Sequence, residues 1–298
     1  MIRRSVAFLM FISCLWGNLA LAFPHKDSFL YPVLPDTSRT SEERTEPLSL
    51  HYWDKFDFKD SLWLSDPAQV EQDLVNYLNL LSGLEKSVAE LSVKAFVRKV
   101  YSNEAARLYF TDEVEHYLFD LNSLRRNDNL YIIFLKETLA SPYLKEEEKF
   151  RYRFQLENIM KNMPGDKATD FSYLDKKGNQ LKMSDLKADY LVLFFYNPDC
   201  ERCRDAKRHL SQEAVLKKTS VRVLAVYPGS QTKEWLAQPS DLPAGWIDGC
   251  SPDGAINNRL LYFIRTTPSV YLLDKHKRVI LKDISSGYLV NYLRELKL

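Results

Sequence analysis

The chain has 298 residues with a formal net charge of +1, and 45% of its residues are hydrophobic. This length suits about two domains, each able to bury a core, and the composition excludes a long disordered tail. The balanced charge is not typical of proteins that bind nucleic acid or lipid surfaces, because those surfaces concentrate basic residues.

The first 22 residues have the layout of a secretory signal peptide. Arginines at positions 3 and 4 precede an apolar stretch at residues 6–16, and small residues lead to Ala22. The stretch is too short to span a membrane, so we expect cleavage after Ala22. No later segment is long and apolar enough to be a transmembrane helix. The sequence therefore predicts an exported protein, with the bacterial periplasm as the favoured location.

Cysteine usage agrees with export. Of four cysteines, Cys14 leaves with the signal peptide. Lipid attachment at Cys14 is a less favoured alternative, since Phe-Ile-Ser is a poor match to the usual preceding residues. Cys200, Cys203 and Cys250 remain, which in an oxidising compartment predicts one pair and one leftover thiol.

The segment after the signal peptide changes character near residue 50. Residues 23–49 contain four prolines among serine, threonine and charged residues and predict a linker. Residues 51–58 are dense in aromatic side chains, which predicts an anchor packed on a core rather than a ligand site.

A helical domain is predicted at residues 50–163. Asp66 and Pro67 form a helix start, a capping side chain followed by proline at the first helical position. Helical spacing of apolar residues recurs along the segment: Val70, Leu74, Tyr77, Leu78 and Leu81; Val88, Leu91 and Ala95; Phe110, Val114, Tyr117, Leu118 and Leu121. Two more helices are predicted at residues 130–140 and 146–160. The aromatic entry and the helices resemble an uncharacterised domain that precedes thioredoxin-like modules in exported bacterial proteins, a resemblance that implies no activity.

Two cysteines spaced for reversible chemistry follow an apolar run. Residues 191–196 predict a buried strand, and the motif YNPDCERC at residues 196–203 predicts a helix that starts near Cys200. There the first thiol meets unsatisfied N–H groups and the positive end of the helix dipole, which favour the thiolate. Cys203 lies one turn on, on the same helix face. Cys200 is the predicted nucleophile and Cys203 the predicted resolving thiol.

Further elements follow the dithiol motif. Residues 221–227 predict a strand and residues 256–264 a helical segment. Pro268 then leads into an apolar strand, which predicts an edge strand or a bend at this position. Upstream of the motif, residues 170–181 predict a hairpin of two short alternating strands with a Lys-Gly turn.

Residues 164–298 resemble a thioredoxin-like domain of the exported TlpA/ResA type. The resemblance is carried by the YNPDCERC motif, the Thr267-Pro268 step and the segment LLD at residues 272–274, which RVIL follows. It implies an α/β domain in which a central mixed sheet has flanking helices and an extra amino-terminal hairpin, next to the all-α amino-terminal domain. It also implies that Pro268 is cis beside the dithiol and that Thr267 pairs with the substrate backbone.

The motif departs from the family pattern at three positions. Asp199 stands where thioredoxin has tryptophan, Phe194 where thioredoxin has a buried aspartate, and Ala206 where ResA-type proteins have glutamate. The group that accepts the proton of Cys203 is therefore not identified from the sequence. Arg202, between the two cysteines, is predicted to tune the pKa of the thiolate.

The predicted function is that of an enzyme, an exported thiol-disulfide oxidoreductase. Its partners would be protein disulfides or dithiols and a membrane redox protein that supplies electrons; no nucleic-acid partner is expected. The direction of electron flow stays open, since an oxidised pair would form disulfides instead. The alternative is a non-enzymatic thioredoxin-like module whose helical domain binds a partner. A peroxidase is disfavoured because the upstream Pro-x-x-x-Thr/Ser context is missing.

A metal site is the remaining alternative for the cysteines. The same cysteine spacing forms half of a tetrahedral zinc site, with His209 and Cys250 as conceivable further ligands. The direction of the helix carries His209 away from the first turn. We therefore predict neither a metal nor a cofactor, and we expect Cys250 to be a lone thiol in a loop or at a helix start.

Overall fold

The structure is a computed structural model that describes residues 41–60, 63 and 66–296, with side chains from residue 45 onward. The predicted signal peptide at residues 1–22 and most of the predicted linker at 23–49 lie outside the described residues. None of the helices in this part of the chain has the length and apolar character needed to cross a bilayer.

The amino-terminal part is helical, as predicted. Its helices are α1 (Ser41–His51), α2 (Pro67–Ser82), α3 (Lys86–Val100), α4 (Glu104–Leu118), α5 (Asp128–Ala140) and α6 (Glu146–Ile159). The cap of α2 forms as expected, because the Asp66 side chain accepts a hydrogen bond from the backbone of Gln69 at 3.3 Å. Helix α5 is buried at every position of 130–135 and is the central helix of this domain.

Helix α1 differs from the prediction. It occupies the end of the segment 23–49 that the sequence predicted as a linker. Its residues have no strong apolar period, so the pattern gave little sign of a helix. The helix is held by tertiary contacts instead, since Ser49 is buried and its backbone carbonyl accepts a hydrogen bond from Ser92 Oγ of α3 at 2.8 Å.

The aromatic segment after α1 packs into the helical core. Tyr52, Trp53 and Phe58 are each at most 5% exposed. The ring of Trp53 lies between 5.2 and 5.8 Å from six other aromatic rings, measured between centroids: Tyr52, Phe56, Phe58, Tyr77, Phe96 and Phe110. The predicted role of residues 51–58 as an anchor is confirmed.

The carboxy-terminal part is built on a mixed sheet. Its strands are β1 (Ser172–Leu174), β2 (Gln180–Lys182), β3 (Tyr190–Phe195), β4 (Val221–Tyr227), β5 (Ile247–Cys250), β6 (Ser269–Asp274) and β7 (Val279–Ile284). The helices are α7 (Glu201–Gln212), α8 (Thr232–Ala237), α9 (Ala255–Asn258) and α10 (Ser286–Glu295). The strand order is β2-β1-β5-β4-β3-β6-β7. Parallel pairs β3–β4 and β4–β5 combine with antiparallel pairs elsewhere.

Strand β3 lies inside the sheet and carries the chain to the dithiol. Residues 191–195 are fully buried, so both faces of the strand pack against core. One core holds α7 and α10, and the other holds Tyr262 and Ile256. The predicted hairpin at residues 170–181 is present as β1 and β2, and it joins the sheet by pairing with β5. A side chain at Gly249 of β5 would meet the ring of Tyr173 at 2.7 Å, so glycine is required there.

Three details correct the sequence predictions. Of the predicted helical segment 256–264, only Ala255–Asn258 is helical, and the rest forms turns. Pro268 does not mark an edge, because β6 lies between β3 and β7; the proline sits just before the first paired residue, Ser269. Cys250 ends strand β5 and is fully buried, where a loop or helix start was expected.

Candidate functional site

The two cysteines lie where β3 passes into α7. Cys200 caps α7, and its Sγ accepts a hydrogen bond from the backbone N–H of Cys203 at 3.2 Å. The predicted helix start is thereby confirmed. Cys200 is partly accessible, whereas Cys203 is 0% exposed. An incoming substrate can therefore reach Cys200 first, and Cys203 only after a bond to Cys200 has formed.

The Thr267-Pro268 step lies against this helix start. Its peptide bond is cis, as the family resemblance implied. Ser269, the next residue, pairs with Phe195 at the end of β3, which places the step beside the dithiol. Cys200 Sγ donates a hydrogen bond to the carbonyl oxygen of Thr267 at 3.4 Å. The structure thus brings together the four residues predicted for catalysis and substrate binding.

The two thiols have opposite acidities. Burial raises the pKa of Cys200, but hydrogen bonds from Cys203 and Thr267 and the charge of Arg202 outweigh burial, so its pKa is lowered overall. Burial is also the main cause at Cys203, where the neighbouring Cys200 adds to it and the pKa rises to about 11. Cys200 is the thiol that ionises first, which suits a nucleophile.

Arg202 connects α7 to the loop in front of Pro268. Its guanidinium donates a hydrogen bond to Thr266 Oγ1 at 2.6 Å, and the side chain is exposed on the first turn of α7. The positive charge contributes to the lowered pKa of Cys200.

Replacing Arg202 with glutamine is expected to raise the pKa of Cys200. Alkylation of Cys200 by iodoacetamide would then shift to higher pH and slow by about two- to five-fold near neutral pH, as for one exposed charge pair. Arg204→Gln is the matched control, since Arg204 is equally exposed on α7. A pH profile that both variants shift equally would contradict a specific effect of Arg202.

A buried polar network behind the motif was not predicted. Tyr196 donates a hydrogen bond to Asp248 Oδ1 at 2.8 Å and accepts one from Trp235 Nε1 at 3.0 Å. Burial raises the pKa of Asp248. Lys207 of α7 is buried, pairs with Asp241 and lies 5.4 Å from the centre of the Tyr196 ring. The network fixes the residue that opens the dithiol motif, and no sequence spacing connects its members.

The other candidate ligands lie apart from the dithiol. His209 is exposed on α7, and burial raises the pKa of Cys250 to about 11 within β5. Among the residues that the structure describes, no three histidine, cysteine or carboxylate side chains form a group that could hold a metal ion. Phe194, at the position of the thioredoxin aspartate, packs against Trp246 with ring centroids 5.5 Å apart.

Comparison with known proteins places these features in a family. Residues 12–162 match a domain of unknown function, DUF5106, and residues 164–282 match the AhpC/TSA family. The crystal structure of a thioredoxin-like protein from Bacteroides caccae is 33% identical, with a TM-score of 0.84 over 90% of this chain and 98% of that one. The chain belongs to the DUF5106 family. Its carboxy-terminal domain has a thioredoxin-like fold, and the predicted fold class is confirmed.

Two further solved structures resemble the carboxy-terminal half. A conserved protein of unknown function from Bacteroides fragilis is 44% identical over 44% of this chain and 98% of its own, with a TM-score of 0.42. The thioredoxin domain of a thiol-disulfide oxidoreductase from Bacteroides vulgatus is 20% identical over 45% and 97% of the two chains, with a TM-score of 0.40. No curated protein matches the chain.

Proposed function

We propose that this DUF5106 protein is an exported thiol-disulfide oxidoreductase that acts on protein substrates. The observation that carries the proposal is the contrast between its two thiols. Cys200 is accessible, caps a helix and has a lowered pKa, whereas Cys203 is fully buried with a pKa of about 11. An accessible thiolate beside a protected thiol suits attack followed by resolution.

The reaction proceeds by two exchanges. The Cys200 thiolate attacks one sulfur of a substrate disulfide, the substrate S–S bond breaks, and the other substrate sulfur leaves as a thiolate that takes up a proton. Cys203 then loses its proton and attacks Cys200 Sγ, which releases the second substrate sulfur as a thiolate that is protonated. The substrate gains two electrons and two protons, and the cysteine pair loses them. A dithiol partner, which we place at the membrane, must return the electrons in each cycle; the reverse reaction would form substrate disulfides.

The loop before β6 would bind the substrate. Thr267 would pair with the substrate backbone and Pro268 would pack beside the dithiol, which is supported by the contact between Cys200 Sγ and the Thr267 carbonyl. Arg202 would stabilise the attacking thiolate. We also propose a signal peptide at residues 1–22, a helical domain at 50–163 and a thioredoxin-like domain at 164–298. The reaction needs no metal or other cofactor.

Redox titration tests the proposal. The protein would be equilibrated in buffers of graded reduced and oxidised glutathione, alkylated and weighed by mass spectrometry. We expect Cys200 and Cys203 to convert together between dithiol and disulfide as one two-electron couple. A strongly negative potential would indicate a reductant, and a higher one an oxidase or isomerase. A pair that stays in one state throughout would overturn the proposal and favour the alternative, a binding module in which the thioredoxin-like domain is a scaffold.

A further inference from the structure

The helical domain contacts the loop that carries the Thr267-Pro268 step. We call residues 259–268 the cis-proline loop. Arg265 is only two residues before Thr267, yet its guanidinium points to the helical domain. It donates hydrogen bonds to the carbonyl oxygen of Phe119 at 2.9 Å and to the two carboxylate oxygens of Asp128 at 3.0 and 3.3 Å. It also lies 4.4 Å from the centre of the Phe119 ring. With its side chain 8% exposed, Arg265 is the most buried part of this contact.

The chain on the other side of Pro268 is held by the same cluster. Ser269 Oγ donates a hydrogen bond to Asp283 Oδ1 at 2.6 Å. Arg126 of the helical domain pairs with the same carboxylate and lies 3.5 Å from Asp128. The Asp283 side chain is 8% exposed, so little solvent screens these charges. We call Arg126, Asp128, Arg265 and Asp283 the clamp, since they hold the residues before and after the cis step.

Neutral contacts extend the clamp along the cis-proline loop. Lys161 donates a hydrogen bond to the carbonyl oxygen of Leu260 at 2.8 Å, and Asn162 donates one to that of Leu261 at 2.9 Å. Leu260 has a positive φ of 49°, an unfavourable conformation for leucine that persists only when its surroundings enforce it. The rings of Phe119 and Phe263 stack with centroids 6.3 Å apart. Contacts from the helical domain therefore reach this loop near both of its ends.

We propose that the helical domain is a positioning element for the substrate-binding loop, acting through the clamp. The inference rests on the proposed function, because it assigns the loop to substrate binding. A backbone carbonyl pairs with a substrate strand only if it is held within a few tenths of an ångström. Irregular loops have low local stability unless other contacts hold them. The clamp supplies such contacts without touching either sulfur. Its loss therefore weakens binding of polypeptide substrates and leaves the chemistry of the dithiol unchanged.

Single-turnover kinetics test this role. Pre-reduced protein would be mixed with insulin at increasing concentration, and the reaction quenched in acid. For Arg265→Gln and Asp128→Asn we expect the half-saturating insulin concentration to rise about ten-fold, with the maximal rate within about two-fold of wild type. Reaction with a small aromatic disulfide, which has no backbone to pair with Thr267, should be unchanged. So should the reduction potential of the Cys200/Cys203 couple.

Controls separate positioning from loss of stability. Arg107→Gln removes an ion pair to Glu148 at 2.9 Å inside the helical domain, with Arg107 12% exposed, and should leave insulin kinetics unchanged. Arg126→Gln, at a position 24% exposed, gives a milder clamp variant with an expected rise of about three-fold. The double variant of Arg265 and Asp128 should be no worse than either single one.

The outcomes distinguish this inference from the proposed function. If the clamp variants fold and their half-saturating insulin concentrations equal that of wild type while reduction still depends on Cys200, the positioning role is wrong and the oxidoreductase stands. If Arg107→Gln raises the half-saturating concentration as much as Arg265→Gln does, the effect is one of general stability and the inference is likewise overturned. A wild-type protein without Cys200-dependent reduction would instead remove the proposed function itself.

Discussion

Replacing Cys200 with serine is expected to reduce insulin reduction to the uncatalysed background rate. A serine hydroxyl is not ionised at neutral pH and forms no bond to a substrate sulfur by exchange, so the first step is lost. The measurement is turnover of insulin with dithiothreitol as the electron donor. Cys250→Ala is the matched control, because Cys250 is fully buried in β5 and should not contribute to turnover. Residual turnover of Cys200→Ser above background would contradict the assignment.

Replacing Cys203 with serine is expected to convert the protein into a trap. Cys200 still attacks the substrate, but no thiol remains to resolve the mixed disulfide. The adduct should accumulate to nearly one equivalent and be visible by mass spectrometry under non-reducing conditions. Since Cys203 is 0% exposed, an external thiol should release the adduct only slowly. An adduct to Cys203 in the Cys200→Ser variant would reverse the two assigned roles.

The wild-type adduct should have a lifetime that depends on pH. Resolution requires the Cys203 thiolate, and burial is the largest cause of its raised pKa of about 11. Burial persists when Cys200 is bonded to a substrate, whereas repulsion from the Cys200 thiolate disappears. The pKa of Cys203 in the adduct should therefore fall but stay above its ordinary value. Resolution should accelerate as pH rises above neutrality, while attack by Cys200, whose pKa is lowered, should already be fast there.

The elements around the dithiol were predictable because their signals are local. The break from an apolar run to Asn197-Pro198 placed the end of β3, and cysteine as a cap placed the start of α7. Strand β5, by contrast, is four residues long and contains a glycine, so it shows no alternation. Helix α10 did have a usable signal, a serine cap followed by buried Leu289, Val290 and Leu293.

The candidate site was predictable only in part, for a similar reason. Cys200 and Cys203 are neighbours in sequence, and Thr267 and Pro268 were placed by family resemblance; their roles in exchange and substrate pairing stay predictions. The clamp could not be predicted, since Arg265 and Asp128 are far apart in the chain and only the packed fold brings them together. An arginine in a turn has no periodicity that would mark it as buried.

The same separation explains why the helical domain gives no functional signal of its own. Its apolar residues account for a core, and its surface charges read as solvated. Only at the interface do Phe119, Arg126 and Asp128 acquire a specific task, and there the partner is another part of the same chain. A domain with this role would carry no motif that sequence comparison could link to an activity.

Replacing Trp53 with alanine is expected to destabilise the helical domain by about 3–5 kcal/mol, the usual cost of truncating a large buried aromatic side chain. Trp53 is 3% exposed and lies at the centre of the aromatic cluster, so the surrounding rings cannot fill the cavity without moving. Urea unfolding followed by circular dichroism measures the effect. Phe150→Ala is the control, since Phe150 is 75% exposed and its loss should change stability by less than about 0.5 kcal/mol.

The Trp53 variant also links stability to substrate binding. Because the clamp needs a folded helical domain, Trp53→Ala should bind insulin normally in buffer, where the domain is still folded. As urea is added, its half-saturating insulin concentration should rise at the urea concentration at which its helices are lost, and at a lower concentration than in wild type or Phe150→Ala. Insulin kinetics that stay constant after the helical signal has disappeared would show that the thioredoxin-like domain orders its cis-proline loop alone.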